Sequence, residues 1–373
     1  MNTFGNILRL TSFGESHGPA MGGILDGLPS RCTIRIDEIQ AQLERRAPGR
    51  SPLTSARREP DRVEFLSGLM AYDEATGDVS AFTPDTRVAV TLGTPVAFVI
   101  RNNDSRSADY DTLRHIYRPS HADFTYSAKY GFRDHRGGGR SSARETAARI
   151  VAGSIAAQAL AENGIQIFAY TSSVGNISVR APYSAFSQDD VDKNIVRCPE
   201  PDTAEQMIEL IRRVKAAGDT IGGTITGVIR NCPAGLGEPV FDKLHARLAY
   251  AMMSINAAKG FDYGLGFENA GRLGSEMADC FVPGKPVTTL TNHSGGIQGG
   301  ISNGADIYFR VAFKPVATLL RDIDTVDADG NRAVLHAKGR HDPCVLPRAV
   351  PIVEAMAAMT VFDALLLNRS ARL

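Results

Sequence analysis

Tryptophan is absent from this 373-residue sequence, cysteine is scarce, and neither sign of charge is in excess. Basic and acidic residues each number 41, which gives a formal net charge of +0 at pH 7. This balance argues against a general nucleic-acid-binding protein, because such domains are usually strongly basic. The five cysteines include no Cys-x-x-Cys pair. They indicate free thiols in a reducing cytoplasm, and neither a disulfide framework nor a zinc site.

Several other signatures are missing as well. No apolar run approaches the ~20 residues of a membrane span, and the first residues lack the basic start and apolar stretch of a secretory signal. There is no HExxH motif, no Walker lysine and no G-x-G-x-x-G sequence between a strand and a helix. Neither a repeat nor a low-complexity linker is present. We expect a single soluble, cytoplasmic domain over residues 1–373, with no metal, membrane or nucleic-acid partner.

Gly131–Arg149 is the most informative stretch of the chain. It holds five arginines against two acidic residues, and Gly137–Gly139 directly precede a predicted helix. Ser142 and Glu145 have the spacing of a capping box, which predicts that the helix begins there. Glycines that expose the backbone, free helix N–H groups and arginine side chains together favour a phosphate or carboxylate site. The alternative is a solvated basic loop.

A second arginine-rich stretch, Arg45–Arg62, contains six arginines and two acidic residues. Pro48-Gly49 and Ser51-Pro52 predict a loop here. Two arginine-rich loops on a neutral protein suggest an anionic ligand, although an exposed charged loop explains this second stretch equally well. An RNA-binding protein that uses both loops is a further alternative, which the neutral net charge disfavours.

The segment Gly14–Gly18 matches the G-x-S-x-G pattern of serine hydrolases, with Ser16 in the nucleophile position. That motif requires a strand before it and a helix after it. The chain reads instead as strand Ile7–Ser12, loop, and strand Ala20–Leu25, which disfavours a hydrolase. His17, between glycines in a loop, is placed more naturally against a ligand as an acid or hydrogen-bond donor.

Hydrophobic periodicity and turn signals predict the remaining elements. We expect a hairpin in Ala71–Thr91 around Thr76–Asp78. The predicted strands are Gly93–Ile100, Gln166–Arg180, Gly222–Arg230 and Ile307–Phe313. The predicted helices are Asp37–Arg46 with Asp37 as its cap, an all-round apolar Ala143–Leu160, Thr203–Ala216, Pro239–Ala251 with the proline in its first turn, and a long helix from Pro351 to Leu367.

The candidate site groups are of two kinds. Three could move protons: His17, His121 and Asp342. Five could bind anions: Arg46, Arg118, Arg140, Arg144 and Arg340. From the residues alone, this combination indicates a cytoplasmic enzyme that acts on a phosphorylated, acidic small molecule with a phosphate-bearing cofactor.

At these residues the sequence closely resembles the chorismate synthase family. The matching stretches are Phe13–Gly18, Arg57–Asp61, Arg118–Asp123, Arg136–Arg149, Met253–Gly260, His293–Ile301 and Gly339–Met356. The resemblance implies an α+β fold, a β-α-β sandwich with a helical layer between two antiparallel sheets. It also implies a homotetramer and the last step of the shikimate pathway, the anti-1,4-elimination of phosphate from 5-enolpyruvylshikimate 3-phosphate to give chorismate.

The resemblance further implies reduced FMN as cofactor, without net redox change. Because no segment is long enough for a flavin-reductase domain, we expect an external reductant, with NADPH only as an indirect electron source. His17 is expected near the flavin, His121 as an acid toward the leaving phosphate, and Asp342 as an aid to proton transfer at the flavin N5.

The implied binding residues fall into two sets. The substrate set is Ser16, Arg46, Arg50, Arg118, Arg144 and Arg340. The FMN set is Arg140, Ser141, Ser142, Asn256, Ala257, Gly299, Lys314, Pro315, Val316, Ala317, Thr318 and Arg340.

The chain departs from the family pattern in three places. Pro52 stands where many relatives have arginine, and Arg50 is expected to replace it. Lys314–Thr318 lacks the two serines that end this stretch in many relatives, so we expect backbone contacts to survive there while hydroxyl contacts are in doubt. Ala71–Thr91 is longer than usual, and we expect an inserted hairpin away from the cleft.

Overall fold

The computed structural model describes residues 1–49, 61–102, 113–336 and 342–372. Arg50 and Arg340, two of the expected ligands of the substrate, lie outside these described residues, as does the Pro52 position. Three antiparallel sheets and a set of central helices make up most of the described chain.

Fourteen strands form the three main sheets, with every pairing antiparallel. The first sheet has the order β1 (Thr3–Phe4), β2 (Arg9–Gly14), β3 (Ala20–Asp26), β9 (Val96–Arg101), β5 (Val63–Phe65). The second has the order β4 (Ser30–Arg35), β8 (Val88–Leu92), β6 (Leu69–Tyr72), β7 (Val79–Ser80). The third has the order β11 (Ile177–Ser178), β10 (Gln166–Val174), β12 (Gly223–Arg230), β18 (Ile307–Phe313), β13 (Ala258–Tyr263).

Three two-stranded hairpins complete the strands of the described residues. They are β14 (Phe281–Val282) with β15 (Thr288–Thr289), β16 (Ile297–Gln298) with β17 (Ile301–Ser302), and β19 (Ile323–Val326) with β20 (Arg332–Leu335). The helices are α1 (Ile36–Arg46), α2 (Asp123–Tyr130), α3 (Thr146–Ala161), α4 (Gln188–Val191), α5 (Pro201–Ala216), α6 (Leu244–Met253), α7 (Gly274–Met277) and α8 (Leu346–Asn368).

Helices α1, α3 and α8 form the middle layer of the molecule. Helix α3 contacts β3, β4 and β10, whereas α8 contacts β10 and β12. The two helices cross closely at Gly153, where an added Cβ would lie 2.3 Å from the Cβ of Ala355. Both are apolar on nearly every face, because each is covered by sheet or helix on all sides. The α+β sandwich with a central helical layer is therefore confirmed.

Helix α8 is long and apolar enough to cross a membrane by composition, but 78% of its most apolar 18 residues are buried inside the protein. It contains Pro351 within its length and Pro347 in its first turn. The prediction of a helix beginning only after Pro351 is wrong. Proline lacks an N–H but is tolerated at a helix start, and here Pro347 marks that start.

Other helix starts also differ from the predictions. Helix α1 begins at Ile36, so Asp37 lies in its first turn and not at the cap; Ile39 and Leu43 on its inner face are fully buried. Helix α6 begins at Leu244, and Pro239 precedes it in a loop. An acidic or proline residue suits several positions near a helix start, so its presence fixes the neighbourhood of the start but not the residue.

The Ala71–Thr91 segment is more than a surface hairpin. Its first part pairs β6 with β7 around the predicted turn, but its second part is β8, which lies between β4 and β6 in the second sheet. Ala89 and Val90 of β8 are buried. Only the β6–β7 tip is an appendage; β8 is integral to the fold.

Candidate active site

Two glycine-rich loops meet at the centre of the site. Gly14–Gly18 links β2 to β3, and Gly137–Gly139 precedes α3. A Cβ added to Gly137 would lie 2.2 Å from Cε1 of His17, and the backbone N–H of Ser16 donates to Gly139 O at 3.4 Å. The buried imidazole of His17 therefore lies directly on the backbone of the second loop. Only glycine at position 137 permits this approach.

The capping prediction for Ser142 is confirmed in part. A short 3-10 turn, Ala143–Glu145, leads into α3, and the Ser142 hydroxyl accepts from the N–H of Arg144. The carboxylate of Glu145 does not complete the box but pairs with Arg149, at 2.8 Å from Nη2. An i,i+4 partner of opposite charge outcompetes the backbone N–H here.

Arg140 ties the two loops together. Its Nη1 donates to Gly14 O at 3.1 Å, and its Nη2 donates to the Ser12 hydroxyl at 2.8 Å. The guanidinium thus fixes the end of β2, the strand that leads into the His17 loop. Its remaining surface borders a cavity of about 380 Å³.

A buried ion cluster lies beneath the loops. Asp61 is fully buried and accepts from Nη1 of Arg46 at 2.7 Å and from Nη1 of Arg144. Burial lowers the pKa of Arg46 to about 10; Asp61 opposes this, and the nearby positive charges of Arg348 and Arg144 add to it. Two guanidinium groups share one carboxylate, so the cluster keeps a positive charge that favours a neighbouring anion.

Asp342 joins this cluster through Arg348. Nη1 of Arg348 donates to the Asp342 carboxylate, and its Nε donates to Arg46 O at 3.0 Å. A single side chain, that of Arg348, therefore links the predicted proton-transfer carboxylate of Asp342 to the buried Arg46. Both side chains of the pair are largely buried, at 17% exposed for Arg348 and 10% for Asp342.

His121 lies in a separate but adjoining part of the site. Its Nδ1 is 3.0 Å from Pro119 O and its Nε2 is 3.1 Å from the Thr318 hydroxyl. A carbonyl oxygen can only accept, so Nδ1 carries the hydrogen and Nε2 of the neutral ring accepts from Thr318. Burial and the charge of Arg118 lower the pKa of His121. The ring is therefore neutral at pH 7 when no anion is present.

Arg118 is held in place by Asp123. Its Nε and Nη2 each donate to that carboxylate at 2.8 Å, a bidentate pair. Burial opposes ionisation of Asp123, but these hydrogen bonds hold its pKa below the usual value. Arg118 also reaches the glycine turn, since a Cβ on Gly138 would stand 3.9 Å from its Nη2.

Most of the expected FMN stretches come together beside Ser141 and His121. The Asn256 amide donates to Ser141 O at 3.0 Å, and the N–H of Lys314 donates to Ala257 O at 3.0 Å. The Lys314 ammonium donates to Ser120 O at 2.9 Å, beside His121. The Thr318 hydroxyl, at a position where the family pattern made hydroxyl contacts doubtful, bonds His121.

Gly299 is the exception. The N–H of Leu244, at the start of α6, donates to Gly300 O at 2.8 Å, while Asn256 follows the other end of that helix. Ten residues of α helix span about 15 Å at 1.5 Å per residue. Within one chain, Gly299 is therefore remote from the other FMN residues, and its role stays a prediction.

The cavity beside the glycine turn has aromatic, basic and acidic residues in its lining, with Glu15, Asp123 and Asp134 supplying the acidic groups. Tyr126, Tyr130 and Phe132 supply aromatic surface, and Gly138–Ser141 and Arg133 also line the cavity. The three glycines of the turn all have positive φ, between 54° and 87°. No side chain of the turn blocks the approach of a ligand to its backbone, and two of the expected FMN residues, Arg140 and Ser141, line this cavity.

The serine-hydrolase alternative does not fit the fold. The Ser16 hydroxyl is 3.2 Å from Nδ1 of His17, but strand β3 follows the loop at Ala20. The strand-to-helix elbow that exposes such a nucleophile is absent from this described segment.

Three residues that bond the predicted site arginines received no role from the sequence: Asp61, Asn102 and Arg348. Asp61 follows Pro60 inside the second arginine-rich stretch, and an acidic residue among six arginines was the available signal. Asn102 and Arg348 carry no local signal, because their importance arises from contacts with residues 42 and 302 positions away.

Comparison with known proteins identifies the family of this chain. The family profile described as chorismate synthase matches residues 8–366. The chorismate synthase of Bacteroides thetaiotaomicron is 56% identical over 373 residues, covering 100% of this chain and 99% of that protein. The chorismate synthase of Christiangramia forsetii is 52% identical over 372 residues, with 100% and 99% covered.

A solved structure gives the same result. A crystal structure of chorismate synthase superimposes with a TM-score of 0.74 at 31% identity, covering 97% of this chain and 93% of that chain. The chain therefore belongs to the chorismate synthase family of lyases.

Proposed function

We propose that this chain removes phosphate from 5-enolpyruvylshikimate 3-phosphate by anti-1,4-elimination, giving chorismate, and that it requires reduced FMN without net redox change. The observation that carries the proposal is the convergence of His17, Arg144 and the Gly137–Gly139 turn around one positively charged region. Such a region suits a substrate with two carboxylates and a phosphate.

The arginines divide between holding the site and meeting the substrate. Arg46 is 2% exposed and gives hydrogen bonds to Asp61 and to the Thr146 hydroxyl, so its main contribution is a fixed positive charge. Arg144 and Arg118 lie nearer the glycine turn and are the better candidates for direct contact with substrate oxygens. Their pairing with Asp61 and Asp123 orients them before substrate arrives.

Three groups are proposed to handle protons. His121 takes up a proton at Nε2 when an anionic substrate offsets the effect of Arg118, and then donates it toward the leaving phosphate. His17 holds or supplies a proton beside the glycine turn, and Asp342 assists near the flavin. When bound, reduced FMN supplies electron density transiently to the substrate.

Phosphate release is the direct test. Purified protein is incubated with 5-enolpyruvylshikimate 3-phosphate, with and without dithionite-reduced FMN, and phosphate and chorismate are measured. We expect equal amounts of both products only with reduced flavin. Release of phosphate without chorismate, or turnover that is independent of flavin, would contradict the proposal.

Variants of the two histidines test their roles. We expect His17→Asn and His121→Asn each to lower turnover by roughly 10²-fold or more, the range of acid–base groups. Asparagine is preferable to alanine at position 17, because the ring is buried against Gly137 and its removal would leave a cavity. His336→Asn is the control, since that side chain is 71% exposed on a hairpin. Full turnover in the purified, folded site variants would refute these roles.

We further propose a cytoplasmic homotetramer with an external flavin reductant, for which NADPH is the indirect electron source. Light scattering after size-exclusion chromatography tests the assembly. Oxidation of NADPH with added FMN, by the protein alone and with a flavin reductase, tests the source of electrons. NADPH oxidation by the protein alone would contradict an external reductant.

A further inference from the structure

Asn102 connects two parts of the site that the sequence separates by 42 residues. Its side-chain oxygen accepts from Nε of Arg144 at 3.0 Å. Its side-chain nitrogen donates to Gly18 O at 2.8 Å and to Glu15 O at 3.1 Å. The three contacts fix the orientation of the amide, because a flipped group would turn its oxygen toward two carbonyls and its N–H₂ toward a guanidinium.

The backbone of Asn102 reinforces this position. It directly follows β9, and its N–H donates to Pro19 O at 3.1 Å, which extends the pairing of β9 with β3. The amide is therefore presented by the end of a central strand, where its placement is more precise than on a loop.

The loop that Asn102 holds carries His17. The N–H of Gly18 donates to Glu15 O at 3.0 Å, which closes the turn, and Asn102 bonds both carbonyls at its ends. The imidazole of His17 lies between this turn and the backbone of Gly137. A change in the turn would move the ring relative to the glycine turn.

The guanidinium that Asn102 contacts is held from a second side. Nη1 of Arg144 bonds the buried carboxylate of Asp61, and its Nη2 approaches Arg101 O at 3.5 Å. Asp61 holds the Arg144 guanidinium in place, while Asn102 bonds both that guanidinium and the loop that carries His17.

We propose that Asn102 is a positioning residue that holds the His17 turn and the Arg144 guanidinium in one fixed arrangement. The inference rests on the proposed function for its effect on turnover. It predicts one consequence for loss of the amide oxygen, which bonds Arg144, and another for loss of the amide nitrogen, which bonds the turn. Substitution can separate the two.

Asn102→Asp separates them. The carboxylate retains an acceptor for Arg144 but loses both donors to the turn and places negative charge against two carbonyls. We expect the affinity for 5-enolpyruvylshikimate 3-phosphate, measured by calorimetry with oxidised FMN, to stay within about 3-fold of the parent, while kcat falls at least 10-fold. Asn102→Leu removes both ends and should lower affinity and kcat together.

Hydrogen–deuterium exchange supplies a readout that does not depend on turnover. Peptides covering residues 13–19 should exchange faster in both Asn102 variants than in the parent. Asn163→Ala is the matched control, because its amide donates to Ala159 O at 2.8 Å beyond the end of α3. It should change neither exchange in residues 13–19 nor turnover.

The outcomes separate the two claims. If the parent does not form chorismate, the proposed function fails, and exchange in residues 13–19 still tests the role of Asn102. If folded Asn102→Asp retains parental kcat and parental exchange, the positioning role is overturned. A parallel loss of affinity and kcat in Asn102→Asp, with unchanged exchange, would also overturn it. Should Asn102→Leu fail to fold, the Asp variant decides the question.

Discussion

The imidazole of His17 lies so close to Gly137 that a Cβ at position 137 would stand 2.2 Å from Cε1 and 2.3 Å from Nδ1 of the ring. Gly137 also has a φ of +63°, which side-chain-bearing residues rarely adopt. Steric room and backbone conformation thus both require glycine here.

Gly137→Ala should therefore cost more than backbone strain. Gly77→Ala is the matched control, since Gly77 has φ +79° but nothing within 4 Å of its added Cβ. We expect about 1–2 kcal/mol of destabilisation in the control from left-handed strain alone. Gly137→Ala should show the same destabilisation. It should also lower turnover, because the ring of His17 must move away from the new Cβ. Denaturant unfolding and phosphate release measure the two effects. Equal turnover in both variants would contradict the contact.

Removal of the buried carboxylate should be severe. Asp61→Asn leaves the guanidinium groups of Arg46 and Arg144 without their shared negative charge, and such a loss typically costs about 3–5 kcal/mol. Asp26→Asn is the control, because Asp26 pairs with Arg9 at the surface, where ion pairs contribute about 0–1 kcal/mol. Urea unfolding compares them. Similar losses of unfolding free energy in both variants would show that the buried cluster stabilises the fold no more than a surface ion pair does.

The depressed pKa of His121 predicts a pH effect on stability. Because the unfolded ring binds protons more readily than the folded one, stability is fully present above pH 6.5 and falls as the pH drops below it. One group can contribute at most about 1.4 kcal/mol per pH unit. His121→Gln should reduce the slope of unfolding free energy between pH 7.5 and 5.5. An unchanged slope would assign the effect to other groups.

Arg144→Ala should weaken substrate binding by about 1–3 kcal/mol, as for a charge-assisted hydrogen bond. Arg136→Ala is the control within the same stretch, since Arg136 is 45% exposed and bonded to Asp134. Calorimetry with oxidised FMN measures both. Unchanged affinity in Arg144→Ala would remove the main support for an anion site at this turn.

The tip of the β6–β7 hairpin should be dispensable. The tip, residues 73–78, is exposed and makes one surface ion pair, Glu74 with Arg35 at 2.6 Å. Replacement of residues 73–78 by a two-residue glycine turn should leave turnover within a few-fold. A folded variant that loses FMN binding would place the tip at the site. Deletion of the whole segment 71–91 is expected to unfold the second sheet, because β8 would be lost.

The sequence predicted the local structure at the centre of the candidate site well. Three glycines before a capped helix start, with arginines on both sides, indicated an anion site at Gly137–Ser142, and the strand–loop–strand context of His17 disfavoured a hydrolase elbow. These signals are local, because glycine conformation, helix capping and strand periodicity depend on neighbouring residues.

Exact helix starts were less predictable. The helix starts predicted at Asp37, Pro239 and Pro351 are found instead at Ile36, Leu244 and Leu346. Neighbouring positions in a first turn have similar preferences, so packing decides between them.

Residue types and local turns alone determined the candidate site, a basic, glycine-lined loop with histidines near it. Only the tertiary structure decided that Arg46 and Arg144 share Asp61, that Asn102 bonds the His17 turn, and that Thr318 accompanies His121. These contacts join residues 15 to 197 positions apart. They form because the β9–β3 pairing and the central helices bring distant backbone into reach, which no local pattern encodes.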